Sequence, residues 1–177
     1  MNLRQKDRIG FRQVVPDEWC FSCDVCCRFP EKDSFLAPCF TQDEMNAARE
    51  KNPPLPPFNS CKITLTPYKE GFICPAFDPT AAHCKIYDIR PVDCMLYPFA
   101  IMWDAAGQEI VLGIDTKCPY VRKHQEDSLI KEASGEIADA IESPPLLDIL
   151  STNKGLIGPY QDDVIPVVAL KTLTSKF

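Results

Sequence analysis

Glycine is scarce in this chain, which has 7 glycines among 177 residues. The sequence contains no glycine-rich phosphate loop, no HExxH pair and no GxSxG elbow. The usual sequence signatures of nucleotide-binding proteins and hydrolases are therefore missing. The motifs identify no catalytic residue.

Long apolar runs are also missing. Residues 1–10 are polar throughout, whereas a secretory signal needs an apolar stretch of roughly 7–15 residues. The longest apolar run, Val164 to Leu170, is interrupted by Pro166 and is shorter than the roughly 18 residues needed to span a bilayer. We therefore expect a soluble, cytoplasmic protein with no membrane partner.

Basic charge is not concentrated anywhere in the chain. The formal net charge is -6, and acidic and basic residues are interspersed without long blocks. Proteins that bind nucleic acid need a positive surface to neutralise phosphates. We therefore expect no nucleic-acid partner.

Cysteine, in contrast, is abundant, with 10 residues, and proline accounts for 17 more. In a reducing compartment structural disulfides are rare, and clustered thiols more often bind metal or carry out redox chemistry. The cysteines therefore predict a metal site more strongly than a disulfide framework.

The first cysteine cluster runs from Cys20 through Cys23 to the adjacent pair Cys26 and Cys27. Short loops of this C-x2-C-x2-C-C type turn successive thiolates toward one centre. Adjacent side chains point in different directions in either a helix or a strand. We therefore expect Cys26 and Cys27 to serve two metals, or different iron atoms of one cluster.

The second group lies far along the chain, and only the fold can gather it. Cys74 and Cys118 are each followed by proline, as the last cysteine of a bacterial ferredoxin run is. A zinc ribbon would present a second C-x2-C knuckle, which this chain lacks. Eight thiols suffice for two four-thiolate centres. The predicted metal ligands are Cys20, Cys23, Cys26, Cys27, Cys74, Cys84, Cys94 and Cys118.

The other candidate ligands receive simpler interpretations. We interpret Cys39 and Cys61 as buried free thiols, because free cysteine is commonly a small core residue. His83 and His124 lie close in sequence to ligands, and we interpret them as imidazoles at the surface or behind the ligands. Arg90 lies among the late cysteines, where its charge would offset that of the thiolates.

Local signals predict a helix at Thr41 to Lys51, because Thr41 and Glu44 have the spacing of a capping box. Asn52 and the prolines that follow end this helix. The segment Pro53 to Pro57 is predicted to be a rigid connector. The alternative is a ligand for a proline-recognising domain.

The second half of the chain contains stronger periodic signals. Phe99 to Trp103 and Glu109 to Ile114 predict a β-hairpin. Gln125 to Glu142 predicts an amphipathic helix whose apolar face includes Leu129. Pro144 to Leu150 predicts a further short helix, and Val164 to Leu170 a terminal strand at a sheet edge or bulge.

These motifs resemble those of the YkgJ-type cysteine-cluster (CxxCxxCC) family, which is described as a zinc- or iron-chelating domain. The first cluster matches the CxxCxxCC signature of that family. A second similarity is the family's C-x-IY-x-x-RP-x-x-C-x-x-YPF segment. The matching residues there are Cys84, Ile86, Tyr87, Arg90, Pro91, Cys94, Tyr97, Pro98 and Phe99. The resemblance spans roughly residues 19–120 and implies metal binding.

The sequence as a whole predicts one α+β domain spanning residues 1–177. Its metal-organised, irregular Cys-rich core occupies residues 19–120, and residues 121–177 form a helical and strand extension. We favour an iron–sulfur cluster that supports electron transfer or a modification reaction, because the early run begins like a ferredoxin. The alternative is a non-catalytic binding module stabilised by zinc.

Overall fold

The computed structural model describes residues 11, 13–51, 57–125 and 127–177. The predicted proline connector lies outside these ranges, apart from Pro57. The described chain combines helices with antiparallel strands, which confirms the predicted α+β class. It divides into an N-terminal unit, Pro16–Met95, and a C-terminal unit that contains Leu96–Phe177. The single-domain organisation stays a prediction.

Short elements make up the N-terminal unit. Its helices are α1 (Asp17–Cys20), α2 (Gln42–Lys51) and α3 (Val92–Leu96), with 3-10 turns at Val25–Cys27 and Tyr87–Ile89. Its strands are β1 (Arg28–Phe29), β2 (Phe58–Asn59), β3 (Lys62–Ile63), β4 (Thr66–Tyr68), β5 (Gly71–Ile73), β6 (Phe77–Asp78) and β7 (His83–Cys84).

All strand pairs in the N-terminal unit are antiparallel. Strands β1, β5 and β4 form a three-stranded sheet in that order, while β2 pairs with β3 and β6 with β7. None of these described strands is longer than three residues. Isolated hairpins of this size are marginally stable in water. The stability of the unit therefore depends on the side chains that pack between the hairpins.

Helix α2 begins as the sequence predicts. The Thr41 N–H donates to Oε2 of Glu44 at 2.9 Å, and the Glu44 N–H donates to Oγ1 of Thr41 at 3.3 Å. This reciprocal pair is a capping box, which satisfies two N–H groups that have no partner within the helix.

A hydrophobic core lies behind the cysteine motifs. Phe40, Ile63 and Ile86 are buried at its centre. Cys74 belongs to the same cluster, and Cys27 and Cys84 pack against it. The thiols therefore have apolar side chains behind them.

Gly71 permits the close approach of β1 to β5. A Cβ atom at this position would lie 2.7 Å from the backbone oxygen of Phe29, a distance that real Cβ atoms essentially never show. Glycine removes that clash. Because β1 begins directly after Cys27, this close approach also sets the position of Cys27 beside β5.

The C-terminal unit has longer elements. Its strands are β8 (Phe99–Trp103), β9 (Ile110–Asp115) and β10 (Val164–Ala169), in the sheet order β10-β9-β8. Its helices are α4 (Pro119–His124), α5 (Ser128–Ile141), α6 (Leu146–Thr152) and α7 (Lys171–Thr174), with a 3-10 turn at Lys154–Leu156. In the described ranges, no helix has the length and apolar character needed to cross a bilayer.

The predicted hairpin and the final strand are both confirmed. Strands β8 and β9 pair from Phe99 with Ile114 to Trp103 with Ile110. Strand β10 lies at the edge of the sheet, and its register shifts between Pro166 and Val168. A proline without an N–H is tolerated at such positions.

The predicted helix from Gln125 starts later than expected. Asp127 has extended backbone angles and is the N-cap of α5, so the preceding turn belongs to the separate helix α4. Ile130, Ile137 and Ile141 are buried as predicted. Leu129 is 41% exposed, so its assignment to the apolar face is wrong. The predicted short helix after Pro144 is confirmed as α6.

Candidate metal centre

Two distant cysteine motifs meet at one edge of the β1-β5-β4 sheet. The register pairs Arg28 with Ile73, so Cys27 and Cys74 are the next residues along each strand. The Cys74 N–H donates to the Cys27 carbonyl oxygen at 2.9 Å. The sheet therefore joins the first motif to the second through backbone hydrogen bonds.

A tight turn and a hairpin then lead to Cys84. The Phe77 N–H donates to the Cys74 carbonyl oxygen at 2.9 Å, and Phe77 pairs with Cys84 across β6 and β7. The Lys85 N–H donates to the carbonyl oxygen of Ala76 at 2.8 Å. These bonds hold Cys84 beside the turn that follows Cys74.

Cys94 reaches the group from helix α3. The Val92 N–H at the start of α3 donates to Oε1 of Glu44 at 2.8 Å. The neighbouring Asp93 accepts a hydrogen bond from the Cys39 N–H at 2.9 Å. The buried carboxylate of Glu44 and the half-buried carboxylate of Asp93 therefore tie the helix that carries Cys94 to the segment around the start of α2.

Five of the predicted ligands lie close enough to influence one another's ionisation. Burial is the main cause that raises the pKa of Cys74, to about 12, and it also raises the pKa of Cys84 and Cys94. A hydrogen bond with Cys26 and then burial raise the pKa of Cys27. The charges of the other thiols in this group add to each of these increases.

Cys26 is the exception within this group. Its Sγ lies 4.0 Å from the Sγ of Cys27. The contact with Cys27 lowers the pKa of Cys26, and the nearby charge of Arg90 lowers it further, although desolvation opposes both.

Nearby backbone N–H groups favour the thiolate form of two of the cysteines. Those of Ala76 and Phe77 lower the pKa of Cys74, and that of Ile86 lowers the pKa of Cys84. Such donors are also among the groups that tune thiolate-bound metal centres.

Arg90 lies among these thiols, as the sequence predicts. It is 8% exposed, and its guanidinium carbon lies 4.0 Å from the ring centroid of Tyr87. Its positive charge lowers the pKa of both Cys26 and Cys84. The donor set is thus rich in thiols with one buried cation beside it, which suits a thiolate-bound metal.

The other three predicted ligands belong to other elements of the structure. Cys20 ends α1, and the Cys23 N–H donates to the Cys20 carbonyl oxygen at 3.3 Å, so both precede Cys26 on a short turn. Cys118 belongs to the C-terminal unit, where it is the buried N-cap of α4. Across the ranges that the structure describes, no three His, Cys, Asp or Glu side chains are arranged to hold one ion. The set of eight ligands stays a prediction.

The two histidines have other neighbours. His83 is exposed, and its ring centroid lies 4.8 Å from that of Phe21. The Nδ1 atom of His124 lies 2.8 Å from Oδ2 of Asp127, and its ring stacks on Tyr120. Both imidazoles therefore contact neighbouring side chains, in agreement with their interpretation as surface groups or groups behind the ligands.

The interpretation of Cys39 and Cys61 as buried free thiols is wrong. The two form a disulfide, with Cα atoms 4.8 Å apart, and Cys61 is only half-buried. Cys39 pairs with Lys62 in a β-bridge, and the Phe40 N–H donates to the Cys61 carbonyl oxygen at 2.8 Å. The β-bridge between Cys39 and Lys62 places the sulfur atoms of Cys39 and Cys61 close together. The one sequence signal for the pairing is that two cysteines remain outside the motifs.

The sequence also belongs to a described family. Residues 19–123 match the family "CxxCxxCC: Putative zinc- or iron-chelating domain". This is more than half of the chain, and it confirms the resemblance noted from the motifs. The chain is a member of the CxxCxxCC family of zinc- or iron-chelating domains. No curated protein and no solved structure matches it.

Proposed function

We propose that the N-terminal unit binds an iron–sulfur cluster through its thiols, while Cys118 stays a predicted ligand in the C-terminal unit. The observation that carries the proposal is the convergence of Cys26, Cys27, Cys74, Cys84 and Cys94 from separate stretches of the chain. Family membership supports metal chelation, and the choice of iron over zinc is the finer part of the proposal.

The spacing of the ligands favours iron–sulfur. A structural zinc ion and an iron–sulfur cluster each take four thiolates, so the argument depends on where the cysteines lie in the sequence. Cys26 and Cys27 are adjacent in sequence, so their thiolates suit different iron atoms of a cluster better than one ion. The opening Cys20 to Cys26 spacing matches that of a bacterial ferredoxin run.

The surroundings of the thiols also fit such a centre. When bound, an iron–sulfur cluster supplies one-electron chemistry, or it supports a modification reaction. The backbone N–H groups of Ala76, Phe77 and Ile86 would donate to the ligating sulfurs, and Arg90 would offset part of their charge.

The proposed role is that of a soluble, cytoplasmic protein whose partners are metal ions rather than nucleic acid. The test is preparation of the protein without oxygen, followed by analysis of iron, zinc and acid-labile sulfide. We expect brown protein that contains iron and sulfide and bleaches on reduction. Colourless protein with stoichiometric zinc, and no iron even after reconstitution, would instead identify a zinc-stabilised binding module.

A further inference from the structure

The Cys39–Cys61 disulfide lies outside both metal-binding motifs, yet it is connected to one of their cysteines. Cys39 is 1% exposed, whereas Cys61 is half-buried and follows Ser60, which has a positive φ of 56°. The bond links the segment before α2 to the β2-β3 hairpin. It therefore fixes the backbone at Cys39.

From Cys39 the connection continues directly to α3. The Cys39 N–H donates to Oδ2 of Asp93, the residue before Cys94. In the opposite direction, Glu44 at the start of α2 accepts the N–H of Val92. Each segment thus supplies a carboxylate to the backbone of the other. We call this pair of contacts the carboxylate brace.

The carboxylate brace positions α3, which carries Cys94, and the disulfide in turn positions Cys39, one of the residues of the brace. Reduction would remove the covalent link between residues 39 and 61, which are 22 positions apart in sequence. Cys39 would then be held only by non-covalent bonds. Groups behind the ligands commonly change metal affinity by about 10–100-fold when they are altered.

We propose that the Cys39–Cys61 disulfide is a redox site that reacts with a dithiol reductant, and that its reduction speeds the release of metal from the centre that includes Cys94. The inference rests on the proposed metal site. It adds to that site a regulatory bond formed by two cysteines that are not ligands.

The exchange begins at the more accessible sulfur. A thiolate of the dithiol attacks Sγ of Cys61, the Cys39–Cys61 bond breaks, and its electron pair leaves on Cys39, which takes a proton from the reductant's second thiol. That second thiolate then breaks the mixed disulfide. Cys61 leaves as a thiolate and takes a proton from water. The dithiol is oxidised to its disulfide, and the protein gains two electrons and two protons.

The experiment compares metal release from the two states of the same metal-loaded protein. Alkylation and mass spectrometry first establish which cysteines are paired in the sample as purified, after brief treatment with a dithiol, which should open the Cys39–Cys61 bond, and after brief treatment with a phosphine reductant. A chromogenic chelator of the bound ion then follows release. We expect release from the reduced sample to be about tenfold faster. Reoxidation should restore the slow rate.

The control is the double variant Cys39→Ser/Cys61→Ser. It should release metal at the fast rate, and the phosphine should not change that rate. If the phosphine accelerates release from the variant as much as from the wild type, it acts on the metal centre itself and the inference is wrong. Equal rates from the oxidised and reduced wild type would also overturn it.

These outcomes are distinct from failure of the proposed function. Protein that contains no metal as purified, or after reconstitution, refutes the metal site itself. Protein that binds metal but releases it independently of the disulfide refutes only the regulation. The wild-type comparison stands even if the double variant does not fold.

Discussion

The backbone N–H of Cys74 donates a hydrogen bond to the carbonyl oxygen of Cys27 at 2.9 Å, which joins the two cysteine motifs of the chain. The bond continues the ladder between β1 and β5, so the sheet determines the distance between these two cysteines. The thiols therefore converge because of backbone pairing, although every strand involved is short.

Replacement of Glu44 by alanine should destabilise the protein. Glu44 accepts one N–H from Thr41 and one from Val92, and the Val92 contact is buried. Loss of a helix cap and of a buried acceptor should lower the free energy of unfolding by about 1–3 kcal/mol. Urea denaturation of metal-loaded protein measures this change. Glu50→Ala, at an exposed position of α2, should change stability by less than about 0.5 kcal/mol.

Alanine substitutions at two glycines of the C-terminal unit should change the stability of the protein in opposite directions. A Cβ atom at Gly113 would clash with Cγ1 of Val164, which is buried, so Gly113→Ala should lower the free energy of unfolding by about 1–3 kcal/mol. A Cβ atom at Gly135 in α5 meets nothing within 4 Å. Gly135→Ala should therefore raise stability by about 0.5–1 kcal/mol. Equal effects in thermal denaturation would show that this packing is wrong.

Asp93 should make stability depend on pH. Burial raises the pKa of its carboxyl to about 6, well above the value of about 3.9 in an unfolded chain. Between these values the folded protein binds more protons, so this contribution to stability is present at low pH and is lost as the pH rises through 6.

The matching experiment compares wild type with Asp93→Asn in the metal-loaded state. An asparagine oxygen can still accept the Cys39 N–H but carries no charge. The free energy of unfolding of the variant, relative to wild type, should increase by on the order of 2–3 kcal/mol between pH 4 and pH 7. The exposed substitution Asp43→Asn serves as control. A difference that does not vary with pH would argue against burial of an ionisable Asp93.

Removal of metal should affect the two units unequally. The described strands of the N-terminal unit have at most three residues, and its thiols come from separate stretches. Structural metal contributes on the order of 10 kcal/mol in small zinc domains, comparable to the whole stability of a typical domain. Hydrogen exchange should show early loss of protection in that unit after chelation. Strands β8 and β9 and helix α5 should keep theirs. Full protection of both units would show that the site is preformed.

Local signals explain which parts of the fold the sequence predicts. The capping box of Thr41 and Glu44, the β8-β9 hairpin and the bulged edge strand at Pro166 all depend on residues near one another in sequence. The start of α5 was less predictable, because the N-cap Asp127 and the end of α4 lie only a few residues apart.

Long-range contacts account for what the sequence does not predict. The Cys39–Cys61 disulfide depends on a β-bridge between Cys39 and Lys62, and no local pattern marks that bridge. The second acceptor role of Glu44, toward Val92, is also invisible in the sequence. The five thiols that influence one another's ionisation all lie within the two sequence motifs.

The most direct test of the account is the metal content of three proteins prepared together without oxygen: wild type, Cys84→Ser and Cys61→Ser. Loss of a ligand at Cys84 should sharply lower the metal bound per chain. Loss of Cys61 should leave the metal content at saturation nearly unchanged, because that residue is not a ligand. If both variants lose metal equally, or if wild type contains none, the thiols of the two motifs do not form the metal site.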